Sequence, residues 1–392
     1  MTVQSVQDNS EHEQAVTPLE LLFDLVFVFG VAQLSHHLLT HLSWQGTAET
    51  LVLLLAIFAV WSRTSWSATM ISADQSRTSR MMLAVMMLGL FMNASVTNAF
   101  TVSGWGFVIP YLLIQFGRTI WTYFNAPDVN LREHYLRVLF WLFPTTLLWI
   151  VGAAANPDTR LLWWGLAAGI DLIGTWLAHP VPSRHLHSEH IRFDVSHMSE
   201  RCRLFLLIAL GETIVTTGTA IMESPITPMT IMTGTAALAG TIALWALIFG
   251  HSQRLNVRYR METHDPIRIG RYAVTALLGL CAGLIALAVG YELVIVHPEG
   301  ESSIQLSLLL YGGSILYLLA QNWYLHSVTG GSPRLRFIGI GILSLIGLLA
   351  LTAQPFIALI LLAATLAILA IFDQRRIRTD EEDLTNPRHA AG

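Results

Sequence analysis

Twelve stretches of about twenty mostly apolar residues, divided by short polar breaks, leave this chain few ways to fold, because each is long enough to cross roughly 30 Å of hydrocarbon. They run approximately over 18–40, 48–70, 80–101, 105–125, 136–155, 160–179, 200–222, 228–251, 270–296, 304–326, 334–352 and 354–372. Backbone amides in lipid must be satisfied within the segment, so each stretch reads as a helix. The break at Gln354-Pro355 is the weakest division. Composition points the same way. Only 12% of the 392 residues are charged and 53% are hydrophobic, a balance that a soluble surface could not wet. The expectation is an all-α polytopic membrane protein with about 12 transmembrane helices.

Arginine placement tests that count. All 22 basic residues are arginine. Those outside the spans gather on the connections after segments 2, 4, 6, 8 and 10 and on the C-terminal tail, for example Arg77, Arg132, Arg184, Arg192, Arg254, Arg334 and Arg375. Arg160 alone falls on the other side. The positive-inside rule then puts both termini in the cytoplasm. The N-terminus carries Asp8, Glu11 and Glu13 rather than a basic region, so the first segment is expected to stay as a span. Met86-Met87-Leu88-Gly89-Leu90 in the third segment and Leu277-Leu278-Gly279-Leu280 in the ninth suggest two six-helix halves. The chain divides into a polar tail (1–16), a first half with a cytoplasmic loop (17–199), a second half (200–372) and a charged tail (373–392).

Ionisable groups within the spans are costly, so each asks for a partner or a task. Glu20 and Asp24 lie four residues apart on one helical face, and Arg63, Arg118 and Arg201 lie at a comparable depth as partners. Asp171, Glu212 and Asn93 read as a midplane layer with no arginine at their depth, a candidate transport or protonation site. The bland alternative is that such groups hydrogen-bond helices together. His197, Glu200 and Arg201 share a face at the membrane surface, either as the start of a helix or as a base beside a phosphate-binding arginine. His185, His187 and His190 read as a solvated loop rather than a metal site. Trp61, Trp66, Trp121, Trp141, Trp163 and Trp164 read as interfacial anchors. No nucleophile elbow, Walker loop or zincin helix is present, so no cofactor is expected. No basic block suits nucleic acid. The cysteines, Cys202 and Cys281, form no framework.

The strings Thr17-Pro18-Leu19-Glu20-Leu21-Leu22-Phe23-Asp24-Leu25-Val26-Phe27-Val28-Phe29 and His197-Met198-Ser199-Glu200-Arg201, with the later Leu210-Gly211-Glu212-Thr213, resemble the bacterial low temperature requirement protein A family. The resemblance extends from about Thr17 to the last span and matches Glu20, Phe23, Asp24, His197, Glu200, Arg201, Gly211 and Glu212 to motif positions, with Asp171 resembling an acidic position of the sixth helix. Thr213 and Cys202-Arg203 depart from the usual residues, and the ninth span lacks a histidine at its entry. The family implies a multi-pass inner-membrane protein linked by name to growth in the cold, without an agreed molecular activity. Phe23-Asp24 also echoes a motif of twelve-helix potassium channels, although no counterpart opens the seventh span.

The expected activity is secondary transport or ion conduction through a midplane acidic site. The alternative is an enzyme acting on lipid or polyprenyl phosphate at the cytoplasmic face. The expected partners are the lipid bilayer, an ion or small solute, and a second copy of the chain.

Overall fold

In a computed structural model, described over residues 16–71, 75–180, 193–259, 266–329 and 334–385, helices occupy every one of the twelve apolar segments. The first half comprises α1 (Pro18–Thr40), α2 (Trp44–Met70), α3 (Gln75–Ala94), α4 (Trp105–Asn125), α5 (Val129–Ala154) and α6 (Pro157–Trp176). The second comprises α7 (Val195–Glu223), α8 (Pro228–Tyr259), α9 (Pro266–Val296), α10 (Ile304–Ser307), α11 (Gly313–Thr329), α12 (Arg334–Leu349) and α13 (Pro355–Thr385). A π-helical turn over Leu308–Gly312 joins α10 to α11 as one rod, and a 3-10 turn over Ala350–Thr352 closes α12 before Pro355 opens α13. Nine helices among the described residues are long and apolar enough to cross a membrane; α3, α4 and α6 are long but more polar.

Several helices begin earlier than hydropathy suggests. α2 starts at Trp44, α5 at Val129 and α7 at Val195 because Ser43, Asp128 and Asp194 accept backbone N–H bonds from Gly46, Leu131 and His197. A side-chain cap satisfies amides that the helix itself leaves open, and that need is independent of where the hydrocarbon begins. Thr17 and Glu20 form a reciprocal capping box at α1, with Pro18 at the first helical position.

The outer face is apolar, unlike that of a soluble protein, and the apolar core holds polar and charged groups as well. Leu22, Leu25, Phe91, Phe140, Phe143 and Leu147 face outward, whereas Asp24, Asn93, Gln115, Arg118, Thr122 and Arg201 are buried. Apolar side chains gain nothing from leaving lipid, so polar bonds and close packing hold such a bundle together. The packing pairs recur between the halves. α1–α2, α1–α3, α2–α6 and α5–α6 contacts are matched by α7–α8, α7–α9, α8–α13 and α12–α13 contacts. α1 also packs on α7 and on α9, which joins the two sets.

Trp61 and Trp164, expected as interfacial anchors, are instead fully buried. Each indole N–H finds a partner inside the protein: Trp61 donates to Asp24, and Trp164 donates to the Trp149 carbonyl. His185, His187 and His190 lie outside the described residues.

Small residues set how closely helices approach. A Cβ at Gly283 of α9 would lie 2.7 Å from the Gly313 carbonyl oxygen and 3.1 Å from the Tyr317 backbone nitrogen. Backbone cannot swing aside as a side chain can. Gly283→Ala is therefore expected to cost about 1–3 kcal/mol by overpacking. Gly341→Ala on α12, where a Cβ meets nothing within 4 Å, is expected to be neutral or mildly stabilising. Unfolding in detergent checks the pair; equal stabilities would contradict the α9–α11 packing.

Candidate functional site

Two polar clusters occupy the end of the bundle where α1, α5, α7 and α9 begin and α2 and α6 finish. The first joins α1 to α7. Arg201 Nη2 donates to Asp24 Oδ1 at 2.8 Å, and Arg201 Nη1 lies 3.6 Å from Glu20 Oε1. His197 Nε2 lies 3.0 Å from the same Glu20 oxygen. Trp61 Nε1 of α2 donates to Asp24 Oδ1 at 2.7 Å, and the guanidinium sits over the Phe23 ring. Asp24 and Arg201 are both 0% exposed. Spacing explains the geometry. Glu20 and Asp24 are one turn apart, as are His197 and Arg201, so two helices crossing here present two acids to two bases. Arg201 thus answers the open question of which arginine meets Glu20 and Asp24.

Glu200 lies off this face and pairs with Arg203 at 3.5 Å in a partly exposed contact. The proposed surface grouping of His197, Glu200 and Arg201 is therefore split. Its His197 and Arg201 are already engaged with Glu20 and Asp24.

The second cluster corrects the midplane reading. Asp171 has an arginine at its depth: Arg63 Nη2 lies 3.3 Å from Asp171 Oδ1 and donates to Thr175 Oγ1 at 3.0 Å. Tyr111 O–H donates to Asp171 Oδ2 at 2.9 Å. The apolar run continues to residue 179, which puts Asp171 near its middle, but the helix is shorter. α6 ends at Trp176, so Asp171 lies little more than one turn from its C-terminal end rather than at its middle.

Among the described residues no hydrogen bond or ion pair joins any two of Asp171, Glu212 and Asn93. Asn93 Nδ2 donates to the Val26 carbonyl at 2.7 Å and its amide fills the space beside Gly30. That is a helix-to-helix contact. Glu212 is half-buried on α7, and among the described residues its carboxylate has no bonded partner.

Beside Asp171 and Arg63 a cavity of about 290 Å³ opens between α2, α4, α5, the end of α6 and α9. A smaller one of about 70 Å³, lined by Asp171 and Tyr111, adjoins it across Ser62, Thr175 and Trp176. The larger cavity is lined by Arg63, Arg118, Arg271, His134 and His179, with Trp66, Met70 and Val138 among its apolar walls. Arg118 is 2% exposed and donates to Gln115 Oε1 at 2.7 Å and to Thr119 Oγ1, both neutral.

The backbone at this end of α6 is strained. Ala178 and His179 have φ of 55° and 54°, a left-handed conformation rare for residues with a Cβ. The turn is held by His179 N–H donating to the Gly174 carbonyl at 2.7 Å and by Trp141 Nε1 donating to the Pro180 carbonyl. It sets the His179 ring edge-on to His134, with centroids 5.7 Å apart. Strain of this kind is kept where surrounding contacts over-determine it, commonly at functional sites. Tyr111, His134, Thr175, His179 and Arg271 were missed in the sequence. Each depends on a tertiary neighbour, although a histidine following an apolar helix was a usable signal.

An α-helical bundle with outward apolar faces and buried ion pairs defines a multi-pass membrane protein. The chain belongs to the family described as bacterial low temperature requirement A protein, whose model matches residues 15–371. It is 27% identical over 356 residues to an uncharacterized protein of Rhizobium meliloti (strain 1021), an alignment that covers 90% of this chain and 86% of that one. No solved structure matches it.

Removing one side of a buried pair strands the other charge. Arg201→Met is expected to cost about 3–5 kcal/mol, whereas Asp24→Leu combined with Arg201→Met regains most of that loss. Thermal unfolding of the purified variants checks this; a double variant no more stable than the single would contradict the pairing.

Proposed function

We propose that this protein moves a small solute or ion across the bacterial cytoplasmic membrane, with twelve spans and both termini in the cytoplasm. The arginine alternation supports that topology, and the repeated packing pairs support an origin in two six-helix halves. The observation that carries the reading is the Asp171–Arg63–Tyr111 cluster, set against two adjoining cavities between helices of both halves, with Asp171 and Tyr111 on the smaller and Arg63 on the larger. Ionisable groups inside a helical membrane bundle mark pathways when they border space, and structural locks when they do not. By that criterion Asp171 and Arg63 belong to the pathway, and Glu20, Asp24, His197 and Arg201 to a lock between α1 and α7. Glu212 is a further acid on the same helix as the lock. The enzymatic alternative has less support, because His197 and Arg201 are held by Glu20 and Asp24 rather than presented to a phosphate.

Flux into reconstituted vesicles tests the proposal, using pH- and potential-sensitive dyes under proton, potassium, sodium and phosphate gradients. Wild type is expected to carry one of these. Asp171→Asn is expected to lower its rate by about tenfold or more, equivalent to roughly 1.4 kcal/mol in the barrier. Folded wild-type protein that carries none of them, or an Asp171→Asn variant with unchanged flux, would contradict it.

A further inference from the structure

The larger cavity is unusual in the sign of its charge. Arg63 is matched by Asp171, but Arg118 and Arg271 are bonded only to neutral groups among the described residues: Arg118 to Gln115 and Thr119, and Arg271 Nη1 to the Trp176 carbonyl at 3.1 Å. Arg118 Nε and Nη1, Arg63 Nε and Nη1, and Arg271 Nε have no hydrogen-bond partner among the described residues. Neither have His134 Nδ1 and His179 Nδ1. Among the described residues, Asp171 is the one carboxylate that borders either cavity.

A buried guanidinium without a counter-charge, as at Arg118, is costly, and Arg271 adds a second, partly exposed cation to the same cavity. The corresponding corner of the second half is built differently. There Arg336 Nη2 of α12 meets Asp373 Oδ2 of α13 at 2.7 Å, so the cation has its own carboxylate.

We propose that this cavity binds an oxyanion of the phosphate class attached to, or accompanied by, an apolar body. The donors are guanidinium forks, whose geometry suits phosphate oxygens bidentately. Two uncompensated guanidiniums match the charge of a phosphate monoester dianion better than that of a single carboxylate. Trp66, Met70 and Val138 supply an apolar wall against which an attached chain or ring would pack. The ligand source is either free phosphate and small phosphate esters, or the phosphate headgroup of a lipid entering from the side. The inference rests on the reading that this cavity is the solute site, and it names the class of solute.

Isothermal titration of the full-length protein in detergent separates the possibilities, with inorganic phosphate, dihexanoyl phosphatidic acid and dihexanoyl phosphatidylcholine as probes. Binding of phosphate or phosphatidic acid is expected, weakened by about tenfold or more in both Arg118→Gln and Arg271→Gln. Arg271 lies at the start of α9 and is partly exposed, so its variant decides the matter if Arg118→Gln does not fold. Binding of phosphatidic acid without inorganic phosphate assigns the site to a lipid headgroup. Binding of inorganic phosphate assigns it to a free anion. The proposal is overturned if neither probe binds, if both variants bind as wild type does, or if phosphatidylcholine binds as well as phosphatidic acid. Binding without flux would sink the transport reading alone, and flux without binding would sink this one alone.

Discussion

The structure depends on the contact between Asp24 and Arg201. Both side chains are cut off from solvent, and they come from the first helix of one half and the first helix of the other. Neither charge can stay buried without its partner, because the desolvation cost of a lone ion is several kcal/mol. The pair therefore fixes the rotation of α1 against α7 more stringently than apolar packing would, since apolar surfaces in lipid have little preference for one another. Trp61 adds a donor from α2, and Glu20 with His197 repeats the pairing one turn away. Once these helices are set, α9 is placed against both α1 and α7.

That placement has a consequence for the cavity. α9 brings Arg271 to the lining that Arg63 and Arg118 share, so helices from both parts of the chain bound the space. The lock and the cavity share α2 as a common element: Trp61 faces Asp24, and Arg63, two residues on, faces Asp171. Movement of α2 would be felt at both.

Hydropathy alone made the helices legible, because the solvent that they face demands unbroken apolar runs. Their ends were less legible. Ser43, Asp128 and Asp194 extend helices beyond the apolar runs by capping amides, a local signal that a hydropathy window averages away. The lock was half legible: the acids on α1 were visible by their spacing, but three arginines competed for them, and only folding brings α7 alongside α1. Asp171 was visible as an acid in an apolar run, yet its partner was not, because Arg63 is 108 residues away. Glu212 and Asn93 show the limit of reading depth as proximity. They were grouped with Asp171 by position along their helices, and no bond among the described residues joins any of the three. The cavity histidines could be noticed but not placed, since His179 is brought there by a left-handed turn and His134 by the early start of α5.

The most direct test of this account is whether water and solutes reach the cavity. The native cysteines, Cys202 and Cys281, are buried, so a cysteine introduced by Val274→Cys on the cavity wall reports with little background. In sealed, oriented vesicles the account predicts labelling by a membrane-impermeant maleimide from the cytoplasmic side, faster for an anionic reagent than for a cationic one. Labelling only by a permeant, uncharged reagent, or equal rates for both charges, would show that the arginines line a closed structural void.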